Sequence, residues 1–569
     1  QEGVVYEFRS DGLPDFVADV NGNRITAGYT SGKLTQLTHS NGDAIQISYN
    51  AAGRITSIAD GPRVTTYEYD VANEHLLRVN TPEGTTIYAY ETGNNPARRH
   101  ALLSVQSADG TQLRFDYDDS GRVSRMATND GQAPVTFAYG IAGSVTVTDA
   151  SGVSVSVDYN ESGRIARTRD PLGNATFFRY DANGNLISEI DPSGLTTTRE
   201  YDADGNLIKQ TDVAGNQTQL IYDPVSHRPV AVLDALGNRT SYGHDAAGNI
   251  TTVTDASGTV RSLSYDDRGF PTGIINGRSQ ELRYAYDSQG RILTKTYPDG
   301  AITSFSYDTR GNLSSYSDAH GTTTMAYDAA DRLTRVDYPG GRFLAYEYDG
   351  LGRRTRMTDQ TGFINNYAHN AQGQLTGVTD ALGANIVNYE FDSAGRLQRE
   401  QKGNGSSTIY EYNSLGQLIR MRNLDPDSVV LSKFEYAYDQ FGRRSTLTTQ
   451  EGVTQYEYND FGQLIAVNLP GARRRAYQYS PSGSLTAIVE EGQSTDYLQD
   501  DFGRITNVGA AIYTFDADGN ITERTEGGVQ RTYAYDADNR LVRTTDPDGI
   551  TEYVYDGLGQ LVARIVNGT

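Results

Sequence analysis

One short phrase recurs along the whole chain: an aromatic residue, a carboxylate or amide, two variable positions, a glycine, and an aliphatic residue shortly after. It reads Tyr180-Asp181-Ala182-Asn183-Gly184-Asn185-Leu186 and again Tyr201-Asp202-Ala203-Asp204-Gly205-Asn206-Leu207. Later copies stand at Tyr307-Asp308-Thr309-Arg310-Gly311 and Tyr555-Asp556-Gly557-Leu558-Gly559. Strict Tyr-(Asp/Asn)-x-x-Gly occurs thirteen times, from Tyr49 to Tyr555, with looser copies between. A period of 20 to 22 residues fits one supersecondary unit. Such a unit cannot bury an apolar face alone and must stack on its neighbours. With the aromatic residue as marker, about 27 units run from Phe8 to Tyr555. The expectation is therefore one continuous repeat domain over 1–569, not the several globular domains that length alone predicts. The period slips at Tyr90 to Tyr117, Tyr412 to Tyr438 and Gln499 to Phe515.

Each unit carries a second punctuation midway, as in Asp170-Pro171-Leu172-Gly173, Asp191-Pro192-Ser193-Gly194, Asp234-Ala235-Leu236-Gly237 and Asp546-Pro547-Asp548-Gly549. Asp at a turn entrance accepts backbone N–H groups, and glycine tolerates positive φ. A type I turn closed by a glycine bulge joins two strands, so one unit is two strands and two turns. The segments between alternate with period two, and ten units carry Tyr-x-Tyr, which puts both rings on one face. Nothing resembles an amphipathic helix. The fold class is all-β: tandem β-hairpins forming a long antiparallel sheet. As one meander it would be about 260 Å long and only about 20–25 Å wide. Sheets twist and an apolar face must be covered, so the ribbon has to coil, with successive turns meeting edge to edge. Hydrophobic content of 37% is thin for a filled core of this size. Coiling therefore predicts a hollow barrel or cocoon with an inner radius of about 15–20 Å.

Formal charge is −23, which argues against nucleic acid as a partner; the one basic run, Arg473-Arg474-Arg475, reads as a solvated turn. Cysteine is absent, which excludes a disulfide-built scaffold and thiolate metal sites. No apolar stretch is long enough for a membrane span. The N-terminus, Gln1-Glu2-Gly3-Val4, has no signal-peptide pattern and begins inside the period, so the chain is expected to be part of a longer precursor.

Candidate chemistry is sparse. The Asp-x-(Asp/Asn)-Gly-Asn turns at Asp202–Asn206 and Asp516–Asn520 resemble half of a calcium loop, but glycine comes too early and no Glu closes the site. The seven histidines, His39, His75, His100, His227, His244, His320 and His369, form no metal-ligand pair at helical or hairpin spacing. No Gly-x-Ser-x-Gly elbow is present. Neither a cofactor nor a resident metal is expected, and no residue is assigned a catalytic role. The irregular units, at Gly93 to His100 and at Asn423 to Ser428, read as extra loop, where binding residues concentrate on a rigid scaffold.

The recurrent Tyr-Asp-x-x-Gly-(Asn/Arg/Gln)-(Leu/Ile), with Asp-(Pro/Ala)-x-Gly between, resembles the tyrosine–aspartate (YD) repeat. That repeat belongs to Rhs toxins, the B and C subunits of insecticidal toxin complexes, bacterial wall-associated proteins and the YD shell of teneurins. The resemblance implies a spiralling sheet wound into a cocoon which, in toxin members, encloses a C-terminal toxic domain. The core-associated, self-cleaving segment of those members has no match among these residues, and a toxin domain is expected to lie outside them or to be missing from this member. The leading expectation is a non-enzymatic structural shell on an exported or cell-surface protein. Its partner would be an enclosed polypeptide or the rest of its own precursor. Two rivals are a surface adhesion module that binds a cell-surface glycan, and a polysaccharide-degrading enzyme on the same scaffold.

Overall fold

The turn after Tyr201 shows how the repeat shapes the chain. Asp202 N–H bonds Asn206 O at 3.0 Å, and Gly205 N–H bonds Asp202 O at 3.2 Å. The Asp202 carboxylate accepts from Asp204 N at 3.0 Å, Asn206 N at 2.8 Å and Asn206 Nδ2 at 2.9 Å. Gly205 takes φ 86°, in the left-handed region that glycine enters without a Cβ penalty. Asp191 closes the mid-unit turn alike, accepting from Ser193 N and Leu195 N at 2.9 Å each. One expected copy differs. Asp546 pairs directly with Gly549, so Pro547-Asp548 is a two-residue hairpin loop rather than a bulged turn.

The computed structural model describes residues 4–82, 84–93, 95–108, 110–128 and 131–568. Residues 1–3, read above as the start of a cut precursor, Asn94 in the first irregular unit, and Thr569 lie outside the described residues. Among the described residues there are 54 strands, from Val5–Phe8 to Leu561–Val566, and one 3-10 turn at Ile141–Gly143. Each strand pairs antiparallel with its predecessor and successor, as Thr196–Tyr201 does with Leu186–Ile190 and Leu207–Thr211. In the Tyr-Asp hairpins Tyr201 faces Leu207 while Glu200 faces Lys209, leaving Ile208 bulged. The same shift recurs at Tyr180, Tyr307 and Tyr555. A bulge raises local twist and bends its strand, and repetition in nearly every unit gives the ribbon its curl.

In most units the tyrosine hydroxyl ties the unit to the one before. Tyr201 Oη donates to Leu186 O at 3.0 Å, Tyr307 Oη to Ile292 O at 3.0 Å, and Tyr555 Oη to Leu541 O at 2.9 Å. Tyr180 instead lies under the Arg164 guanidinium, 5.8 Å from its ring centre. These bonds satisfy carbonyls at the bulge, next to where the ladder is interrupted.

The irregular units resolve differently from one another. At Glu91 the turn lengthens, and Glu91 N–H closes on Ala101 O at 2.8 Å. The second is not extra loop. Its strands lengthen to Leu418–Leu424 and Val430–Tyr438, and a normal turn follows, with Asp425 N–H on Val429 O at 3.0 Å. The third contains the short strand Ile505–Val508, joined to Ala511–Phe515 by two residues.

A single layer leaves little core. Among the described residues eleven apolar side chains are buried, six of them alanine, too few to fill the middle of a chain this long. Solvent-accessible surface is 31615 Å². A compact protein of 62.1 kDa would expose roughly 20,000 Å², so both faces of the sheet meet solvent.

Glycine's role is testable at two positions. A Cβ on Gly205 would meet only Asn185 Oδ1, at 3.8 Å, whereas one on Gly184 would overlap the Arg164 guanidinium. Gly205→Ala should destabilise by about 1–2 kcal/mol from φ alone, and Gly184→Ala by more. Placing Arg164→Ala beneath the Gly184 change should return its effect to the Gly205 value. Urea midpoints and protease nicking at the turns measure this; equal effects of the two alanines would overturn the clash.

Candidate functional site: the seam between wraps

The side chains that join distant parts of the chain stand along the line where the coiled ribbon meets itself. Mid-unit turns of one wrap dock onto Tyr-Asp turns of the next. Asn23 Nδ2 donates to Arg268 O at 2.9 Å, Asn174 Nδ2 to Gln440 O at 2.9 Å, and Asn238 Nδ2 to Asp501 O at 3.1 Å. The partners are 245, 266 and 263 residues apart. At about 21 residues a unit, one wrap is about twelve units or 24 strands, and the 54 strands make just over two wraps.

The asparagines have a common local origin. Each stands one residue after the mid-unit glycine, and one amide hydrogen holds the turn's own carboxylate. Asn174 Nδ2 bonds Asp170 Oδ2 at 2.9 Å, Asn23 Nδ2 bonds Asp19 Oδ2 at 2.7 Å, and Asn238 Nδ2 bonds Asp234 Oδ2 at 3.0 Å. The other hydrogen is left pointing out of the edge, where the next wrap supplies a carbonyl. An edge with an unpaired donor is a liability in an open sheet; here it becomes the closure.

Towards the C-terminal end the seam turns ionic. Arg278 Nε donates to Asp518 Oδ2 at 2.9 Å, and its Nη1 to Tyr535 O at 2.9 Å. Asp518 is 1% exposed, also accepts from Gly277 N at 2.7 Å, and has Arg261 Nε at 3.4 Å. Burial pushes its carboxyl up, but the Arg278 guanidinium and Gly277 N–H outweigh that, and its pKa lies below the usual carboxylate value. One unit on, Lys295 Nζ meets both carboxylate oxygens of Asp538 at 2.6 Å. Tyr316 then donates to Asp556 Oδ2 at 2.9 Å, while Gly557 N–H bonds Asp318 Oδ2 at 2.6 Å. Burial, followed by the contact with Asp556, pushes the Tyr316 phenol up to about 12. In the earlier part of the seam Arg63 pairs with Asp331.

The twelve repeat residues read from sequence, at Tyr180, Asp181, Gly184, Tyr201, Asp202, Gly205, Tyr307, Asp308, Gly311, Tyr555, Asp556 and Gly559, lie in Tyr-Asp turns spread along one edge of the ribbon. They do not converge on a common centre. Asp181, Asp202 and Asp308 hold the N–H groups of their own turns. Hydrogen bonds keep their carboxyls below the ordinary value: chiefly from Asn185 N–H for Asp181, from the Asn206 amide for Asp202, and, against opposing burial, from Asn312 for Asp308. Asp556 alone among the twelve also bonds across the seam. Arg474 and Arg475 of the basic run pair with Glu457 at 2.8 Å and Glu490 at 2.8 Å. His75 and His100, 25 residues apart and so at neither helical nor hairpin spacing, meet 2.7 Å apart.

Breaking the ionic seam has a signed pH dependence. A depressed Asp518 pKa contributes stability that is fully present above the unfolded value near 3.8 and is lost as pH falls through the lower folded pKa. Arg278→Ala strands a buried carboxylate and should cost about 3 kcal/mol at neutral pH. Asp518→Asn should flatten the acid limb of the stability profile relative to the parent chain. Urea unfolding from pH 2 to pH 7 measures both, and parallel parent and Asp518→Asn curves would refute the assignment.

Comparison with known proteins gives the same architecture. The family profile "Teneurin YD-shell" matches residues 6–197, 270–410 and 445–569. "RHS Repeat" matches 180–217, 222–260 and 244–281. No curated protein sequence matches. Among solved structures the chain is similar to the Photorhabdus luminescens Tc holotoxin pore, at 13% identity and TM-score 0.64 over 99% of this chain and 41% of that one. It is also similar to TcdB2-TccC3-TEV, at 15% identity and TM-score 0.56 over 99% of this chain and 40% of that one. The chain thus spans about two fifths of the length of these neighbours, and at such identity the likeness is one of fold. On the family profile, which covers most of its length, the chain belongs to the teneurin YD-shell family.

Proposed function

We propose that this chain is a non-enzymatic spiral shell that encloses a polypeptide on an exported protein. The observation that carries the reading is the excess surface of a sheet whose wraps are nonetheless joined edge to edge. A wrap of about 24 strands at 4.8 Å has a circumference near 115 Å and a backbone radius of about 18 Å. Side chains reduce the free lumen to about 12 Å in radius, narrower than the sequence alone led us to expect. Two wraps, each about 20–25 Å wide, give a volume on the order of 20,000 Å³. A folded domain of 100 residues has a radius of gyration of about 13 Å and thus an outer radius near 17 Å. It is wider than the lumen, so the space suits an extended or unfolded chain. Export is supported by the holotoxin context of a structural neighbour; no helix of the described residues is long and apolar enough to cross a membrane.

A cryo-EM map of the chain alone should show a hollow object, and a solid rod would end this reading. Fused at the C-terminus, a reporter of about 100 residues should be protected from protease and lack its native activity. An active reporter, cleaved as fast as the free domain, argues against enclosure.

A further inference from the structure

The slots of the Tyr-Asp turn explain why two histidines far apart in the repeat come together. In a regular turn the residue after glycine bonds its own Asp and reaches towards the next unit. Arg353, after Gly352, bonds Asp349 Oδ2 through its Nε at 2.7 Å and Asn370 O through its Nη1 at 3.1 Å. Arg164 and Arg228 occupy the space that a Cβ on the next unit's Gly184 or Gly248 would need. After Tyr69 that outward-reaching slot holds His75: Asp70 N–H bonds its carbonyl at 3.0 Å, and His75 Nδ1 lies 2.7 Å from Asp70 Oδ2. In the lengthened turn that follows, the glycine slot holds His100, at φ 67°. Its side chain fills the gap that glycine leaves open elsewhere, and His100 Nδ1 stands 2.7 Å from His75 Nε2. The ligand atoms of Glu74, His75 and His100 all lie within 4.8 Å of one another. They line an open cleft of about 500 Å³, with Glu91 and Arg99 on its walls.

We propose that Glu74, His75 and His100 form a divalent transition-metal site whose donor set suits Zn²⁺. Two imidazole nitrogens, one carboxylate and a fourth position open to water match zinc's tetrahedral preference, whereas calcium and magnesium favour all-oxygen sites. Asp70 supplies the outer support that zinc-binding histidines usually have. With His75 Nδ1–H donating to its carboxylate, the Nε2 lone pair faces the cleft. Zn–N bonds of about 2.0–2.1 Å in tetrahedral geometry place two nitrogens about 3.3 Å apart. The imidazoles, 2.7 Å apart as they stand, need to open by about 0.6 Å, and His100 is exposed and free on its outer side. Without metal the same nitrogens share one proton as a hydrogen bond. With it, the lengthened turn is stapled to the unit before.

The test is zinc titration by calorimetry of the full chain after chelator treatment, beside His100→Gly and His75→Asn. Both substitutions restore residues that the repeat uses in those slots, and glycine suits the left-handed backbone at 100. One zinc per chain is expected for the parent and none at that site for either variant. Asp70→Asn should weaken binding by about 10–100-fold. Cobalt added to the parent should give the intense visible bands of a four-coordinate ion, a readout that stands even if a variant misfolds. Equal zinc uptake by the parent and His100→Gly, or cobalt bands of a hydrated octahedral ion only, would leave a hydrogen-bonded histidine pair and overturn the site.

Discussion

The carboxylate or amide at the entrance of each turn accepts the N–H groups of its own turn, and that sets strand length, edge position and register together. At Asp202 both oxygens are engaged within five residues, so the turn forms from local contacts alone. Because the turn is fixed, the residue preceding it must be the last of its strand. In this chain it is the tyrosine that reaches back to a bulge carbonyl of the previous unit. Strand, bulge and inter-unit bond therefore follow from one residue's hydrogen bonding. A ribbon assembled this way is stabilised mainly between neighbours, as in other repeat proteins, and needs no thick core.

Such a ribbon has two long edges, and the seam joins them over about half the length of each, from Asn23 with Arg268 to Asp318 with Gly557. For the most part mid-unit turns offer amide hydrogens or arginines and Tyr-Asp turns offer carbonyls and carboxylates, with Gly557 N–H on Asp318 the reverse. The two edges are complementary in kind, so one wrap docks on the next in a single sense and the spiral advances instead of closing into a ring. A neutral asparagine bond tolerates a shift of one unit, because its acceptor is a backbone carbonyl that every turn presents. The buried Asp518 does not, since it needs Arg278 and Arg261 together. The ionic stretch thus fixes register where the neutral stretch supplies continuity.

The all-β class, two strands per unit, coiling and edge contact were all legible in the sequence, because each follows from a local period and a steric rule. The turn residues at Tyr201, Asp202 and Gly205 were legible for the same reason. The seam partners were not. The recurring asparagine after the mid-unit glycine, at Asn23, Asn174 and Asn238, is visible as a pattern, but the 245 to 266 residues to its acceptor depend on accumulated curl. The second irregular unit differs because its roughly five extra residues divide between two lengthened strands as easily as they form a loop. The histidine pair was missed for a different reason. Helical and hairpin spacings were considered, whereas His75 and His100 are joined by slots in successive turns.

That last miss shows where individuality resides in a repetitive shell. A polar residue after the glycine bonds the entrance residue of its own turn and reaches outward, as Asn174 and Arg353 do, so its identity decides what the position does. Asparagine in the mid-unit turn joins two wraps. Arginine in the Tyr-Asp turn lies over the next unit's ring, as Arg291 does over Tyr307 at 4.6 Å and Arg540 over Tyr555 at 4.9 Å. Histidine there meets whatever replaces the next glycine. The scaffold residues hold these outward slots at fixed geometry, so function can change at one slot without disturbing the fold. New chemistry in such a chain is therefore best sought where both an outward slot and the facing glycine have been replaced, and His75 with His100 meets that condition.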